Sequence, residues 1–134
     1  MLAVVDEYLQ ARVMTASPHR LHLMVVDEAR KAARALVQSL ETDDLDAAHT
    51  AAGRARQCVG ELVSGLRTDQ SPELITQVQE YFLHIQKNLH LADLTQDTPA
   101  AATALKLIED YRDTWAALID SASAEGTSSL DSSA

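Results

Sequence analysis

The stretch Ser17-Pro18-His19-Arg20-Leu21-His22-Leu23-Met24-Val25-Val26-Asp27-Glu28-Ala29-Arg30-Lys31-Ala32-Ala33-Arg34-Ala35-Leu36-Val37-Gln38-Ser39-Leu40-Glu41 decides the fold. Ser17 supplies a capping oxygen and Pro18 the fixed φ of a first helical position, so a helix starts here. From that start Leu21, Met24, Val25, Ala29, Ala32, Leu36 and Leu40 recur in steps of three and four. Such steps keep one apolar stripe on one side of a helix, here over 18–41.

The same grammar repeats down the chain. Thr42, Asp43 and Asp44 offer caps and negative charge at a helix start, and a heptad-like beat follows from Leu45 through Ala48, Ala52, Ala55, Val59 and Leu62 to Leu66. That predicts a second helix over 44–66, whose alanines permit a neighbour to approach closely. Ser71-Pro72 opens a third over 72–94, with Leu74, Val78, Tyr81, Ile85, Leu89 and Ala92 as its stripe. Thr98-Pro99 opens a fourth over 99–120, carried by Ala101, Ala104, Leu105, Ile108, Tyr111, Trp115, Leu118 and Ile119.

Four helices of similar length with short connections specify an all-α, antiparallel up-down four-helix bundle over residues 15–120. Ahead of it, Leu2, Val5, Leu9 and Val13 share a helical stripe without a strong cap, so residues 1–14 read as a mobile amphipathic arm. Behind it, Gly126 and the repeated serines make 121–134 a disordered tail.

Composition agrees with a single helical domain. Of 134 residues 46% are hydrophobic and only 4% aromatic, with four glycines and three prolines, which favours helix over strand. The formal charge of −9 repels a nucleic-acid backbone and an anionic membrane, leaving a protein partner as the expected one. No apolar run approaches the roughly 18 residues of a membrane span, and Asp6 and Glu7 stand where a signal peptide needs a basic start. A cytoplasmic location and no membrane insertion are expected. The single cysteine, Cys58, falls in a helical pattern of alanines and valines, where a thiol behaves as a small hydrophobe.

Motifs that carry chemistry are missing from the sequence. A di-iron bundle needs Glu-x-x-His pairs, and none occurs. His19 and His22 share a helix face but have no acid or thiol at ligand spacing, so they read as a solvated pair in the first turns. Gly53, Gly60 and Gly65 fall in or near the end of a helix and form no phosphate loop. No enzyme activity, metal or cofactor is expected. Asp27, beside the apolar cluster Leu21 to Val26, either sits at a boundary in water or requires a cation or hydroxyl partner.

An apolar surplus remains. Leu23 and Val26 on the first helix, Ile75 and Phe82 on the third and Leu107 on the fourth stand off the stripes given above. A wide core stripe accounts for such residues, and so does a surface that buries a partner.

Residues Tyr8 to Ala29, with Tyr8, Val13, Thr15-Ala16-Ser17-Pro18, Leu21, Met24, Asp27 and Ala29 at their intervals, resemble the start of the flagellar export chaperone family FliS. Arg112-Asp113-Thr114-Trp115 resembles that family's last-helix motif, and Leu89 to Asp93 its Leu-x-x-Ala-Asn. The resemblance covers about residues 6–120. It implies a chaperone that binds the disordered C-terminal segment of flagellin, prevents premature polymerisation and delivers the subunit to the export gate protein of the flagellar type III apparatus.

In that picture Tyr8, Leu9 and Val13 of the arm cover a client groove when no client is bound, and Leu23, Val26, Ile75, Phe82 and Leu107 are the candidate client contacts. A monomer or weak homodimer is expected. Glu28 stands where the family has Gly, Asp93 where it has Asn, and Val26 where it has an aromatic, which bears on client choice. The competing readings are a helical interaction module or a regulatory homodimer for a different protein partner.

Overall fold

The three-and-four spacing resolves into four helices among the residues that the computed structural model describes, 18–66 and 71–132 with side chains as far as Ser121. They are α1 (Pro18–Glu41), α2 (Leu45–Ser64), α3 (Pro72–Thr95) and α4 (Thr98–Ser132). The arm 1–14, with Tyr8, Leu9 and Val13, lies outside the described residues. Among the described residues there is no strand, as expected for the all-α bundle.

Each helix packs against the next, and α4 returns to pack on α1. The neighbours run antiparallel. Along α2 and α3, His49 pairs with Asp93 while Gln86 donates to the carbonyl of Arg56, so the partner number falls as the other rises. Between α1 and α4, His22 meets Tyr111 and Arg34 meets Glu109 in the same sense.

The buried stripes are heptads. Val26, Ala29, Ala33, Leu36 and Leu40 form that of α1, and Ala48, Ala52, Ala55, Val59 and Leu62 that of α2. Phe82, Ile85, Leu89 and Ala92 form that of α3, continued towards its start by half-buried Val78 and Ile75, and α4 contributes Ala101, Ala104 and Ile108. Alternating steps of three and four are the condition for side chains to interlock between helices crossing at about 20°.

Two registers differ from the sequence expectation. In α1 the core stripe passes through Val26 instead of Leu21 and Met24, which are half-buried, and in α3 it passes through Phe82 and Ile75 instead of Leu74. Adjacent apolar residues such as Val25-Val26 and Leu74-Ile75 leave two stripes open, and only the position of the neighbouring helices selects one. Leu45 (52% exposed), Leu74 (48%) and Leu118 (57%) fall outside the core for the same reason.

Ends follow local chemistry. Asp44 caps α2, its side chain accepting from the amide of Ala47 at 3.2 Å. Pro72 sits at the first position of α3 after Ser71, which makes no side-chain cap bond. The cap of α4 is Asp97, not Thr98: its carboxylate accepts from the amide of Ala100 at 3.0 Å and its carbonyl from that of Ala101 at 3.1 Å. Between α1 and α2, Asp44 N–H donates to Ser39 and Asp43 N–H to Leu40, a Schellman closure with Asp43 at φ 57°. The backbone of α4 remains helical to Ser132, beyond the end at 120 read from composition. No proline interrupts Ala122-Ser-Ala124-Glu125, and alanine and glutamate favour helix.

Candidate functional site

Of the surface candidates, the structure puts Val26 (0% exposed) and Phe82 (1%) in the core. That corrects their reading as surplus apolar surface: they are core positions of the α1 and α3 heptads. Leu23, Ile75 and Leu107 are half-buried, on three different helices. Leu107 packs against the core, and its carbonyl accepts the hydroxyl of Tyr81.

A concavity of another kind lies along the outer seam of α1 and α2. It is a groove of about 440 Å³ with a floor of Ala32, Ala35, Ala47 and Ala51. Small side chains on both helices leave a depression where larger ones would fill the seam. Ser39 and Asp46 line it towards the α1–α2 turn, and Glu28, Lys31 and Arg54 line it at the opposite end. Glu28 accepts from Arg54 at 3.1 Å across the seam and from Lys31 at 3.4 Å along α1. The alanine content of both helices was visible in the sequence; their meeting along one seam was not.

A second concavity, about 230 Å³, lies at the end of the bundle where α2 begins and α3 finishes, lined by Leu40, Leu45, Ala48, His49, Asp93 and Gln96 among others. His49 Nδ1 is 2.8 Å from Asp93 Oδ1 there. Asp93 thus ties α2 to α3.

The α1–α4 seam is polar and aromatic. Asp27 accepts from Arg112 Nε at 3.1 Å and lies 3.6 Å from Arg30, and its side chain is 29% exposed. The boundary position and the cation partner both hold. Asp27 in turn holds the Arg112 guanidinium above its ordinary range, chiefly through this hydrogen bond.

His22, read as one of a solvated pair, is instead packed into this seam. Its Nε2 is 2.6 Å from the Tyr111 hydroxyl, and its ring lies 4.5 Å from that of Trp115. Burial, then the nearby charge of His19, pushes the imidazole below its usual pKa. Burial also raises the Tyr111 hydroxyl to about 12. Trp115 Nε1 donates to the carbonyl of His19 at 2.9 Å, pinning the first turn of α1 to α4. An aromatic at i+4 from Tyr111 was the available signal for this cluster.

Cys58 is half-buried, and burial with the acidic neighbours Glu61 and Glu28 raises its thiol to about 11. Such a thiol is a poor nucleophile at neutral pH. Among the described residues no group of three or more His, Cys, Asp or Glu is placed to hold a metal ion, and no helix is long and apolar enough to cross a membrane. What these residues do present is the α1–α2 groove and the polar, aromatic α1–α4 seam.

Residues 1–122 match the family model described as flagellar protein FliS. Over 114 residues the chain is 27% identical to the flagellar secretion chaperone FliS of Bacillus subtilis (strain 168), an alignment covering 85% of this chain and 84% of that protein. A match over nearly the whole bundle places this chain in the FliS family of flagellar proteins.

Proposed function

We propose that the protein is a flagellar export chaperone that binds the disordered C-terminal segment of flagellin in the cytoplasm, blocks its premature polymerisation and hands it to the export gate. The observation that carries this reading is the α1–α2 groove, an apolar floor with charged ends on a protein of the FliS family. A disordered amphipathic segment gains affinity by laying its apolar positions into such a groove, and a long interface offsets the entropy of ordering it.

Leu23, Ile75 and Leu107 extend the contact surface around the bundle in this reading. Residues 1–14, through Tyr8, Leu9 and Val13, cover the groove until the client displaces them. Binding and release need no enzyme chemistry and no cofactor, because competition between arm, client and export gate supplies the exchange.

Co-purification tests the reading. A tagged chain expressed with the host's flagellin retains full-length flagellin and loses flagellin truncated at its C-terminus. Equal retention of both overturns the assignment of the C-terminal segment.

A second reading has its own observation. Leu83 (53% exposed), Leu91 (43%) and Leu94 (68%) lie on α3 and Leu45 (52%) at the start of α2, and these apolar side chains suit a different protein partner or a second copy. Sedimentation with and without client peptide separates the two, since a regulatory homodimer forms without the peptide.

A further inference from the structure

One carboxylate spans the seam between α1 and α2. Glu28 Oε2 meets Arg54 at 3.1 Å and Glu28 Oε1 meets Lys31 at 3.4 Å, so the pair lies across one end of the alanine-floored groove. One helical turn further along α2 comes Cys58, half-buried against the core and close enough for Glu28 and Arg54 both to act on its thiol. On α1 the residues one turn back from Glu28 are Met24 and Val25, also half-buried. These half-buried apolar residues lie one turn beyond the bridge, at which the lining of the groove ends.

The two ends of the groove differ in charge. Lys31, Arg54 and Glu28 leave one net positive charge at the bridge. Asp46 lies at the other end, in the first turn of α2, with exposed Glu41, Asp43 and Asp44 in the adjoining turn. A helix carries roughly half a positive charge at its N-terminus and half a negative charge at its C-terminus. Laid in this groove, it is favoured with its N-terminus over Asp46 and its C-terminus against Lys31 and Arg54, parallel to α2 and antiparallel to α1.

We propose that Glu28 is a specificity-determining residue of the groove: its bridge to Arg54 stops an amphipathic client helix at the level of Arg54, while Asp46 fixes the helix's polarity. The occupant is a helix formed by the client segment, with aliphatic side chains set over the alanines, so the inference rests on the chaperone reading above. A client helix that runs further must displace the bridge, and the chain thereby selects for helix length as well as for pattern.

The test uses the full chain, a peptide of the flagellin C-terminal segment, and the labelling rate of Cys58 by a disulfide reagent at mildly alkaline pH. With wild-type protein the bound peptide leaves that rate unchanged. With Glu28→Ala or Arg54→Gln, each checked for native helix content and melting, the peptide advances over Cys58 and slows labelling about threefold or more, as expected for a site moved from open to covered. Asp46→Lys weakens peptide binding about two- to fivefold, the span of a helix-end charge interaction.

Labelling slowed alike in the wild type and both bridge variants overturns the stop, as does labelling unchanged in all three. Wild-type affinity in Asp46→Lys overturns the polarity. Failure of the wild type to bind the peptide overturns the chaperone reading itself and this inference with it, so the two failures are distinct.

Discussion

Arg112 Nε donates to Asp27 Oδ1 at 3.1 Å, joining two residues 85 positions apart and fastening α4 to α1. Both side chains are about a third exposed, 32% and 29%, so water screens the pair and its worth is that of a partly exposed contact. Removing either charge leaves the other in the polar, aromatic α1–α4 seam, where it keeps access to solvent.

Arg112→Ala and Asp27→Asn are each expected to lower stability by about 1 kcal/mol, and a double-mutant cycle in urea to return a coupling of about 0.5 kcal/mol. A coupling near zero would mean that the geometry contributes register without stability.

Stability should fall on the acid side because of His22. Its folded-state pKa lies below the unfolded value of 6.5, chiefly through burial. At pH values between the two, the unfolded chain binds a proton that the folded chain does not, so stability rises with pH across that window. The contribution is present above the unfolded pKa and is lost as pH falls through the folded one. Urea midpoints measured from about pH 7.5 down to about pH 5 should decline, and His22→Gln should flatten that slope.

Phe82 is 1% exposed and packs edge-on to Tyr111, with ring centroids 4.9 Å apart. Phe82→Ala is expected to cost about 3–5 kcal/mol through lost burial and the cavity left behind, while Leu83→Ala, whose side chain is 53% exposed, should change stability by less than about 1 kcal/mol. Chemical denaturation of the two variants side by side reads out which of these adjacent residues faces the core.

Asp43 closes α1 at φ 57°, a conformation that glycine adopts without strain. Asp43→Gly should raise stability by about 0.5 kcal/mol, the relief of left-handed strain less the extra freedom glycine gains when unfolded. Asp43→Val should lower it, and thermal melts of both give the sign.

Local chemistry made the helices legible from sequence. Pro18, Pro72 and the run Thr42-Asp43-Asp44 each act within one turn, so helix starts could be read within a residue or two. Register was harder: the pairs Val25-Val26 and Leu74-Ile75 offer two stripes, and the choice depends on neighbours distant in sequence. That Asp27 sits either at a boundary in water or beside a cation or hydroxyl was readable, but Arg112 as its partner was not, because nothing in the local pattern links α1 to α4. The α1–α2 groove was hidden for a related reason. Alanines on one helix signal only close approach, and a groove exists once a second alanine-rich helix lies beside the first with its charged ends in register.

Titration of the full chain with the C-terminal segment of the host's own flagellin, followed by calorimetry and circular dichroism, tests the chaperone assignment most directly. Saturable one-to-one binding with a gain in helix signal is expected, strengthened by deletion of residues 1–12. Absence of binding to a correctly folded chain contradicts the assignment, and unchanged or weaker binding after the deletion contradicts the role given to the arm.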